Sequence, residues 1–124
     1  MKTFLITSIF VLQLQVVYSQ KHSIEKFAAF PGGVKKFYQY VQENVKYPAD
    51  ARKDSLNGNV YVEFVVDAQG TIKKESVRLL KGLSPSCDAE ALRVIKSAPP
   101  WIAATTRAKG VEQTISFPVT FQFK

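Results

Sequence analysis

Hydrophobic and polar residues alternate most regularly in the last segment of the chain, residues 111–124. The odd-numbered positions are apolar apart from Gln113, and the even-numbered positions are polar except for Pro118. An alternation with a period of two predicts a β-strand that buries one of its faces. Because proline cannot donate a backbone hydrogen bond, Pro118 indicates that this strand lies at the edge of a sheet or contains a bulge.

A second alternating segment lies near the middle of the chain. Apolar side chains occupy the even positions from Val60 to Val66, which predicts another strand with one buried face. The next four residues, 67–70, are typical of a hairpin turn in which Gly70 supplies the positive φ. Residues 71–81 then predict a return strand with a weaker pattern, and Gly82 ends it.

Two longer segments have the spacing of helices that bury one side. In the first, the apolar positions are Val34, Phe37, Tyr38, Val41 and Val45. Pro48 prevents this helix from continuing, and a short helical piece over residues 49–56 follows. The second long helix begins at Ser84-Pro85 and stops at Pro99-Pro100.

The elements therefore follow in the order helix, strand, strand, helix, strand. A chain of 124 residues forms a single hydrophobic core. The architecture consistent with this order is an α+β fold, with a three-stranded antiparallel sheet and two helices packed on one face.

The first residues predict an export signal. Lys2 precedes a mostly apolar stretch over residues 3–18, and Val17 and Ser19 suit the positions before a signal-peptidase site. The alternative is an uncleaved anchor helix, for which the stretch is short and carries two glutamines. The expected organisation is a signal peptide at residues 1–19, a tail at residues 20–29 and a domain at residues 30–124.

The formal net charge is +7 at pH 7, from 17 Lys and Arg against 10 Asp and Glu. The basic residues are scattered and do not cluster with aromatic residues, and the protein is expected to be exported. We therefore expect no nucleic-acid partner. A positive surface instead favours an acidic partner through long-range attraction.

Few residues are available for chemistry. One cysteine and one histidine exclude an internal disulfide framework, a cysteine-cluster zinc site and any site with two imidazoles, and we expect no metal and no small-molecule cofactor. Cys87 lies on an apolar helix stripe, which favours a core position over a reactive thiol. Trp101 is expected to close the core. Glu63 and Glu90 lie on separate elements with no nucleophile beside them, so we expect no enzyme.

An ordered set of short motifs resembles the C-terminal domain of the TonB energy-transducer proteins. The matching segments are FPGG (30–33), YP (47–48), GNVYVEFVVDAQG (58–70), CDAEALRVI (87–95), P-x-W (99–101), GV (110–111) and FPVTFQF (117–123). The resemblance covers about residues 30–123, nearly the whole chain after the predicted signal peptide.

The resemblance implies a periplasmic domain that binds the TonB box, a short N-terminal segment of outer-membrane transporters. The box adds as an extra strand beside the last strand of the domain. Asn44 corresponds to the place where the family contacts its transporter near the box. The partner-binding residues expected here are Asn44, Gln113, Thr114, Ile115, Ser116, Phe117 and Val119. The resemblance implies that the partner is a TonB-dependent transporter or another envelope protein.

Two departures from the family pattern change the expectations. The family usually has Trp-x-Pro-Gly after the second helix, whereas residues 101–104 are WIAA, so we expect a different loop. Full transducers carry a long proline-rich spacer, which residues 20–29 do not supply, so we expect a domain that binds without transmitting force. The alternative hypothesis is an envelope assembly adaptor that forms a homodimer through the same edge strand.

Overall fold

The computed structural model describes residues 24–123, so the predicted signal peptide and the start of the predicted tail lie outside the described residues. Within this range the helices are α1 (Val34–Asn44), α2 (Ala49–Lys53) and α3 (Pro85–Lys96). The strands are β1 (Gly58–Val66), β2 (Arg78–Lys81), β3 (Ala104–Thr106), β4 (Lys109–Val111) and β5 (Gln113–Phe121). A 3₁₀ turn, Lys74–Ser76, lies between β1 and β2.

The main sheet has three strands in the order β2-β1-β5, and both pairings are antiparallel. Strands β1 and β5 pair over their whole length, from Gly58 opposite Phe121 to Val66 opposite Gln113. The buried side chains of α1 and α3 join those on one face of this sheet in a single core. These observations confirm the predicted α+β architecture.

The aromatic ring of Phe37 lies at the centre of the core. Its centroid is 4.7 Å from the ring of Phe117 and 4.8 Å from that of Trp101, both in edge-on contact. Phe30, just before α1, packs on the same ring at 5.0 Å. Edge-to-face contacts at such distances add to the energy of burying the rings. Trp101 therefore closes the core between α1 and the sheet, as the sequence predicts.

Helix α1 buries a narrower face than its spacing predicts. Phe37 and Val41 are fully buried, but Val34 is 70% exposed and Tyr38 is 44% exposed. Tyr40 is partly buried instead, and its hydroxyl donates to the carbonyl oxygen of Ser97 at 2.9 Å. The small sheet and Trp101 cover only the part of the helix surface around Phe37 and Val41. Val34 and Tyr38, although they belong to the predicted apolar face, therefore face solvent.

The return strand is shorter than predicted. Ile72 makes an isolated bridge to Val66, a 3₁₀ turn follows, and β2 begins only at Arg78. Within this irregular stretch the hydroxyl of Ser76 accepts a hydrogen bond from the backbone N–H of Val65 at 2.9 Å. A side chain thus replaces part of the regular ladder beside β1.

The predicted turn after β1 brings two distant segments together. Gly70 has a φ of 90°, and its carbonyl oxygen accepts a hydrogen bond from the N–H of Trp101 at 2.7 Å. A Cβ atom on Gly70 would overlap the carbonyl oxygen of Trp101. Both the positive φ and this close approach require glycine here.

Strands β3 and β4 form a second hairpin that the sequence analysis did not predict. Its turn residues, Arg107 and Ala108, have φ values of 52° and 64°. Residues 109–110, a Lys-Gly pair typical of a turn, instead begin β4. Two non-glycine residues at positive φ give no recognisable turn signal. The final predicted strand is consequently divided, because β4 ends at Val111 and β5 begins at Gln113.

Residues 25–29, expected to be a tail, pair with this hairpin and with Ile102 just before it. Ala29 and Ile102 exchange two backbone hydrogen bonds of 3.0 and 2.7 Å. The N–H of Thr105 donates to the carbonyl of Lys26 at 2.9 Å. The segment therefore lies extended beside β3 before the chain enters α1.

Helix α3 begins with the cap that the sequence predicts. The hydroxyl of Ser84 accepts a hydrogen bond from the N–H of Cys87 at 3.2 Å, and Pro85 occupies the first turn. The side chain of Cys87 is fully buried, which confirms its interpretation as a core residue.

We expect Phe37→Ala to lower the free energy of unfolding by about 3–5 kcal/mol, because it leaves a cavity among the rings that surround Phe37. Urea unfolding followed by circular dichroism measures this change. The matched control is Tyr38→Ala on the adjacent, exposed aromatic residue, which should cost about 0.5 kcal/mol or less. Equal losses in the two variants would contradict the central position of Phe37.

Candidate functional site

Within residues 24–123, strand β5 has a neighbouring strand on one side only. Among residues 24–123 it pairs with β1, and no strand covers its opposite edge. An uncovered edge offers backbone N–H and C=O groups to another extended chain. Strand β5 has nine residues, and at a rise of about 3.3 Å per residue its end Cα atoms are about 26 Å apart.

Pro118 determines which residues of β5 face this uncovered edge. It lies opposite Tyr61 in the register with β1. A hydrogen-bonded antiparallel pair exchanges two N–H···O bonds, which a proline cannot do. The Tyr61–Pro118 pair is therefore of the non-hydrogen-bonded kind, so the backbone groups of Pro118 point away from β1. The direction of the backbone groups alternates along a strand, so those of Thr114, Ser116 and Thr120 also point away from β1.

Strand β1 supports this assignment from its other side. Val65 lies opposite Thr114 in the register. Its N–H donates to the hydroxyl of Ser76, and its carbonyl accepts from the N–H of Lys73, each at 2.9 Å. Both partners lie on the β2 side of β1. The backbone groups of Val65 are therefore directed away from Thr114, as in a non-hydrogen-bonded pair. We call the backbone groups of Thr114, Ser116, Pro118 and Thr120 the open edge.

The residues expected to bind a partner occupy different positions relative to the open edge. Thr114 and Ser116 are exposed and belong to it. The backbone groups of Ile115, Phe117 and Val119 are directed toward β1 in the alternating ladder. The side chains of Phe117 and Val119 are buried in the core, and that of Ile115 is partly buried. These three residues therefore pack the strand onto the core and do not belong to the open edge.

Gln113 is held by the segment that precedes α1. Its side-chain oxygen accepts a hydrogen bond from the backbone N–H of Ala28 at 2.7 Å. The amide therefore fixes the start of β5 to the extended segment beside β3.

The sequence analysis left two members of the open edge out of the expected binding residues. Pro118 offers a carbonyl without an N–H, and Thr120 offers both groups. Applying the two-residue alternation outward from Pro118 identifies both, because one proline fixes the orientation of the whole strand.

Asn44 lies at the end of α1, in a turn that a charged pair on α3 holds in place. Its side-chain amide donates to the carbonyl of Tyr40 at 2.7 Å. Its own carbonyl accepts from the guanidinium of Arg93 at 3.0 Å. Arg93 also forms a bidentate ion pair with Glu90, with hydrogen bonds of 2.7 and 2.8 Å. Glu90 in turn accepts a hydrogen bond from the N–H of Lys46 at 2.5 Å.

The hydrogen bond from Arg93 is the main cause that lowers the pKa of Glu90 below its ordinary value of 4.5. The backbone N–H of Lys46 lowers this pKa further, whereas partial burial of the carboxyl group raises it. The charged form of Glu90 therefore stabilises the turn after α1.

A groove of about 230 Å³ lies where the end of β5 meets the end of α1 and helix α2. Its lining residues are Gln42, Val45, Tyr47, Arg52, Thr120, Phe121, Gln122 and Phe123. Asn44 is the residue before Val45, which lines this groove, whereas Gln113 lies at the other end of β5. The expected site residues consequently do not form one cluster, and they are distributed along the length of the strand.

The opposite edge of the sheet is less suited to bind a strand. Strand β2 has four residues, and its register with β1 shifts between Tyr61 and Val62. Its ends are Arg78 and Lys81, and charged residues and irregularities of this kind hinder pairing with another chain.

The described residues show no arrangement for catalysis or metal binding. Glu63 is paired with Arg78 at 2.7 Å, and Glu90 with Arg93. Residues 24–123 contain no group of three or more His, Cys, Asp or Glu side chains placed to hold a metal ion. None of the helices in this range is long and apolar enough to cross a bilayer.

Comparisons with known proteins agree with this fold. The family model of the Gram-negative bacterial TonB protein C-terminal matches residues 43–123. A solution structure of the Helicobacter pylori TonB C-terminal domain, residues 194–285, is 21% identical with a TM-score of 0.53, covering 72% of this chain and 91% of that one. A longer form, residues 179–285, is 22% identical with a TM-score of 0.52, covering 76% of this chain and 87% of that one.

No curated protein matches the sequence. The family model nevertheless covers well over half of the chain, and both structural neighbours share the arrangement of sheet and helices described above. The chain therefore belongs to the Gram-negative bacterial TonB protein C-terminal family.

Proposed function

We propose that this protein is a periplasmic binding module that captures an extended peptide along the open edge of β5. Domains of this family are periplasmic, have no enzymatic activity and generally contact outer-membrane TonB-dependent transporters. The proposed ligand is the TonB box of such a transporter, or an extended segment of another envelope protein. The protein reaches the periplasm through the signal peptide at residues 1–19.

The uncovered, nine-residue edge of β5 is the observation that carries this proposal. Three N–H donors point outward from Thr114, Ser116 and Thr120, and these residues and Pro118 supply outward carbonyl groups. The core holds the strand rigid from inside through Phe117 and other buried side chains. A peptide that pairs with a rigid edge loses little binding energy to ordering the protein.

An NMR titration of residues 20–124 tests the proposal. The ligands are synthetic peptides that match the N-terminal plug segments of candidate outer-membrane transporters. We expect chemical shift changes over residues 111–121 and near Asn44. Hydrogen exchange should slow at the amides of Thr114, Ser116 and Thr120, because these three gain hydrogen bonds. The amides of the odd-numbered residues of β5 are already hydrogen-bonded to β1 in the free protein, so their exchange rates should change little.

Two outcomes would contradict the proposal. Slowed exchange on β2 instead of β5 would show that the peptide pairs with the wrong edge. An absence of shifts, together with the line widths of a dimer, would show that a second copy of the chain occupies the open edge, and would favour the assembly adaptor.

We expect Pro118→Val to increase pairing at the open edge. The substitution adds a fourth outward N–H in the middle of the strand without disturbing the pairing with β1. Sedimentation velocity should show greater self-association than in the original protein. The control is Thr114→Val, which replaces a hydroxyl with a methyl group on the same face of the strand and adds no backbone N–H. Equal association of both variants would show that the added apolar surface, and not the added N–H, is the cause.

Glu90→Gln should loosen the turn that contains Asn44. Because the pKa of Glu90 is lowered in the folded state, its charge stabilises the fold above pH 4.5, and this contribution is lost as the pH falls through the folded-state pKa. The stability difference between the original protein and Glu90→Gln should therefore be largest near neutral pH and shrink under acid conditions. Urea unfolding at several pH values measures the difference, and one that grows on acidification would contradict the assignment.

A further inference from the structure

The side of α1 that faces away from α3 is apolar and largely exposed. On the α3 side, the hydroxyl of Tyr40 donates to the carbonyl of Ser97 at the end of α3. Residues two apart in a helix are about 200° apart around its axis, so Tyr38 points nearly opposite to Tyr40. Val34 lies one turn before Tyr38 on the same side, and Val45 two turns after it. We call Val34, Tyr38 and Val45 the free flank.

The free flank lies on the same side of the fold as the open edge of β5. Helix α3 packs on β1 and β2, whereas α1 packs on β5, where the ring of Phe37 contacts that of Phe117 at 4.7 Å. The side of α1 remote from α3 is therefore the side on which β5 has no neighbouring strand among the described residues. The groove agrees with this placement, since Val45 lines it together with Thr120 and Phe121.

Helix α1 runs alongside β5 in the same direction as the strand. The segment before α1 holds Gln113 at the start of β5, and Val45 after α1 adjoins Phe121 at its end. Val34 and Tyr38 are four residues apart, which is a rise of about 6 Å along the helix. Side chains on one face of a strand repeat about every 6.6 Å. The spacing of the free flank therefore matches that of successive side chains on one face of an added strand.

We propose that the free flank packs on the peptide that pairs with β5 and selects aliphatic side chains at every second peptide position. The sheet ends beneath Phe37 and Val41, and a fourth strand beside β5 extends it beneath Val34 and Tyr38. These two apolar residues, 70% and 44% exposed, then gain a sheet surface to cover them. This inference rests on the proposed function and adds the residues that impose a side-chain preference.

The proposed contact residues on α1 precede the part of the chain that identifies its family. The family model begins at residue 43, so Val34 and Tyr38 lie outside the matched segment. The free flank is therefore a surface to which the family match assigns no role.

The probes are acetylated and amidated threonine nonapeptides that carry two valines. In one peptide a single threonine separates the valines, so both face α1 together. In the other the valines are adjacent, so only one of them faces α1. Valine and threonine have the same shape, and only the hydroxyl of threonine loses its water when it packs on the free flank. We expect the separated valines to bind about fivefold more tightly, from about 40 Å² more apolar area removed from water.

Tyr38→Gln should reduce this preference to about twofold or less, and the double variant with Val34→Gln should abolish it. The matched control is Tyr61→Gln, because Tyr61 is 39% exposed, like Tyr38, but lies on the sheet face opposite the helices. A fivefold preference that survives in the double variant would overturn the proposal and assign the preference to the side chains of β5. Unchanged amide spectra in β1 and β5 establish that each variant is folded.

The NMR readout separates this proposal from the function on which it rests. We expect nuclear Overhauser effects between the methyl groups of the separated valines and the ring of Tyr38. If both peptides slow exchange along the open edge but bind equally, strand pairing stands and the free-flank proposal fails. If neither peptide slows that exchange, the proposed function fails and this inference fails with it. Shifts of Tyr38 that depend on protein concentration without peptide would show that a second copy covers the free flank, which also overturns the inference.

Discussion

The antiparallel pairing of β1 with β5 is the interaction on which the rest of the structure depends. It joins the middle of the chain to its end over nine residues of each strand, without a shift in register. This register places the even positions of β1 and the odd positions of β5 on one face, where α1 and α3 cover them. The same pairing uses one edge of β5 and leaves the other without a strand among the described residues, so it accounts for both the core and the open edge.

The aromatic cluster around Phe37 links this sheet to the irregular parts of the chain. Trp101 contacts the rings of Phe37 and Phe64, while its backbone N–H bonds to Gly70 in the turn after β1. The next residue, Ile102, pairs with the segment before α1. The loop after α3 is thus fixed by a ring on one side and by backbone hydrogen bonds on the other, although it lacks the family's usual Pro-Gly.

The candidate site has a different character at each end. At the start of β5, the segment before α1 holds Gln113. At the other end, a charged pair on α3 holds the turn after α1, beside a groove with aromatic walls. A peptide paired with β5 as proposed would therefore meet backbone donors and acceptors along the strand and aromatic side chains at one end. This division is common where a domain binds extended peptides by strand addition.

The sequence by itself determined the elements whose signals are local. Alternation predicted β1 and β5, Gly70 marked the turn after β1, Pro118 indicated an edge strand, and Cys87 on an apolar helix stripe predicted a core position. Local periodicity shows which side chains share a face, but it does not show how far a neighbouring element covers that face. Tyr38 illustrates this, because it belongs to the apolar stripe of α1 and yet faces solvent where the small sheet ends.

Only the tertiary structure showed the hairpin of β3 and β4 and the groove. The hairpin turns on Arg107 and Ala108, which adopt positive φ without a glycine signal, so contacts with the rest of the fold select that conformation. The groove combines residues from α1, α2 and the end of β5, which are separated by up to 81 positions from Gln42 to Phe123. No periodicity relates such distant residues, because their proximity follows from the packing of the helices against the β1–β5 pair.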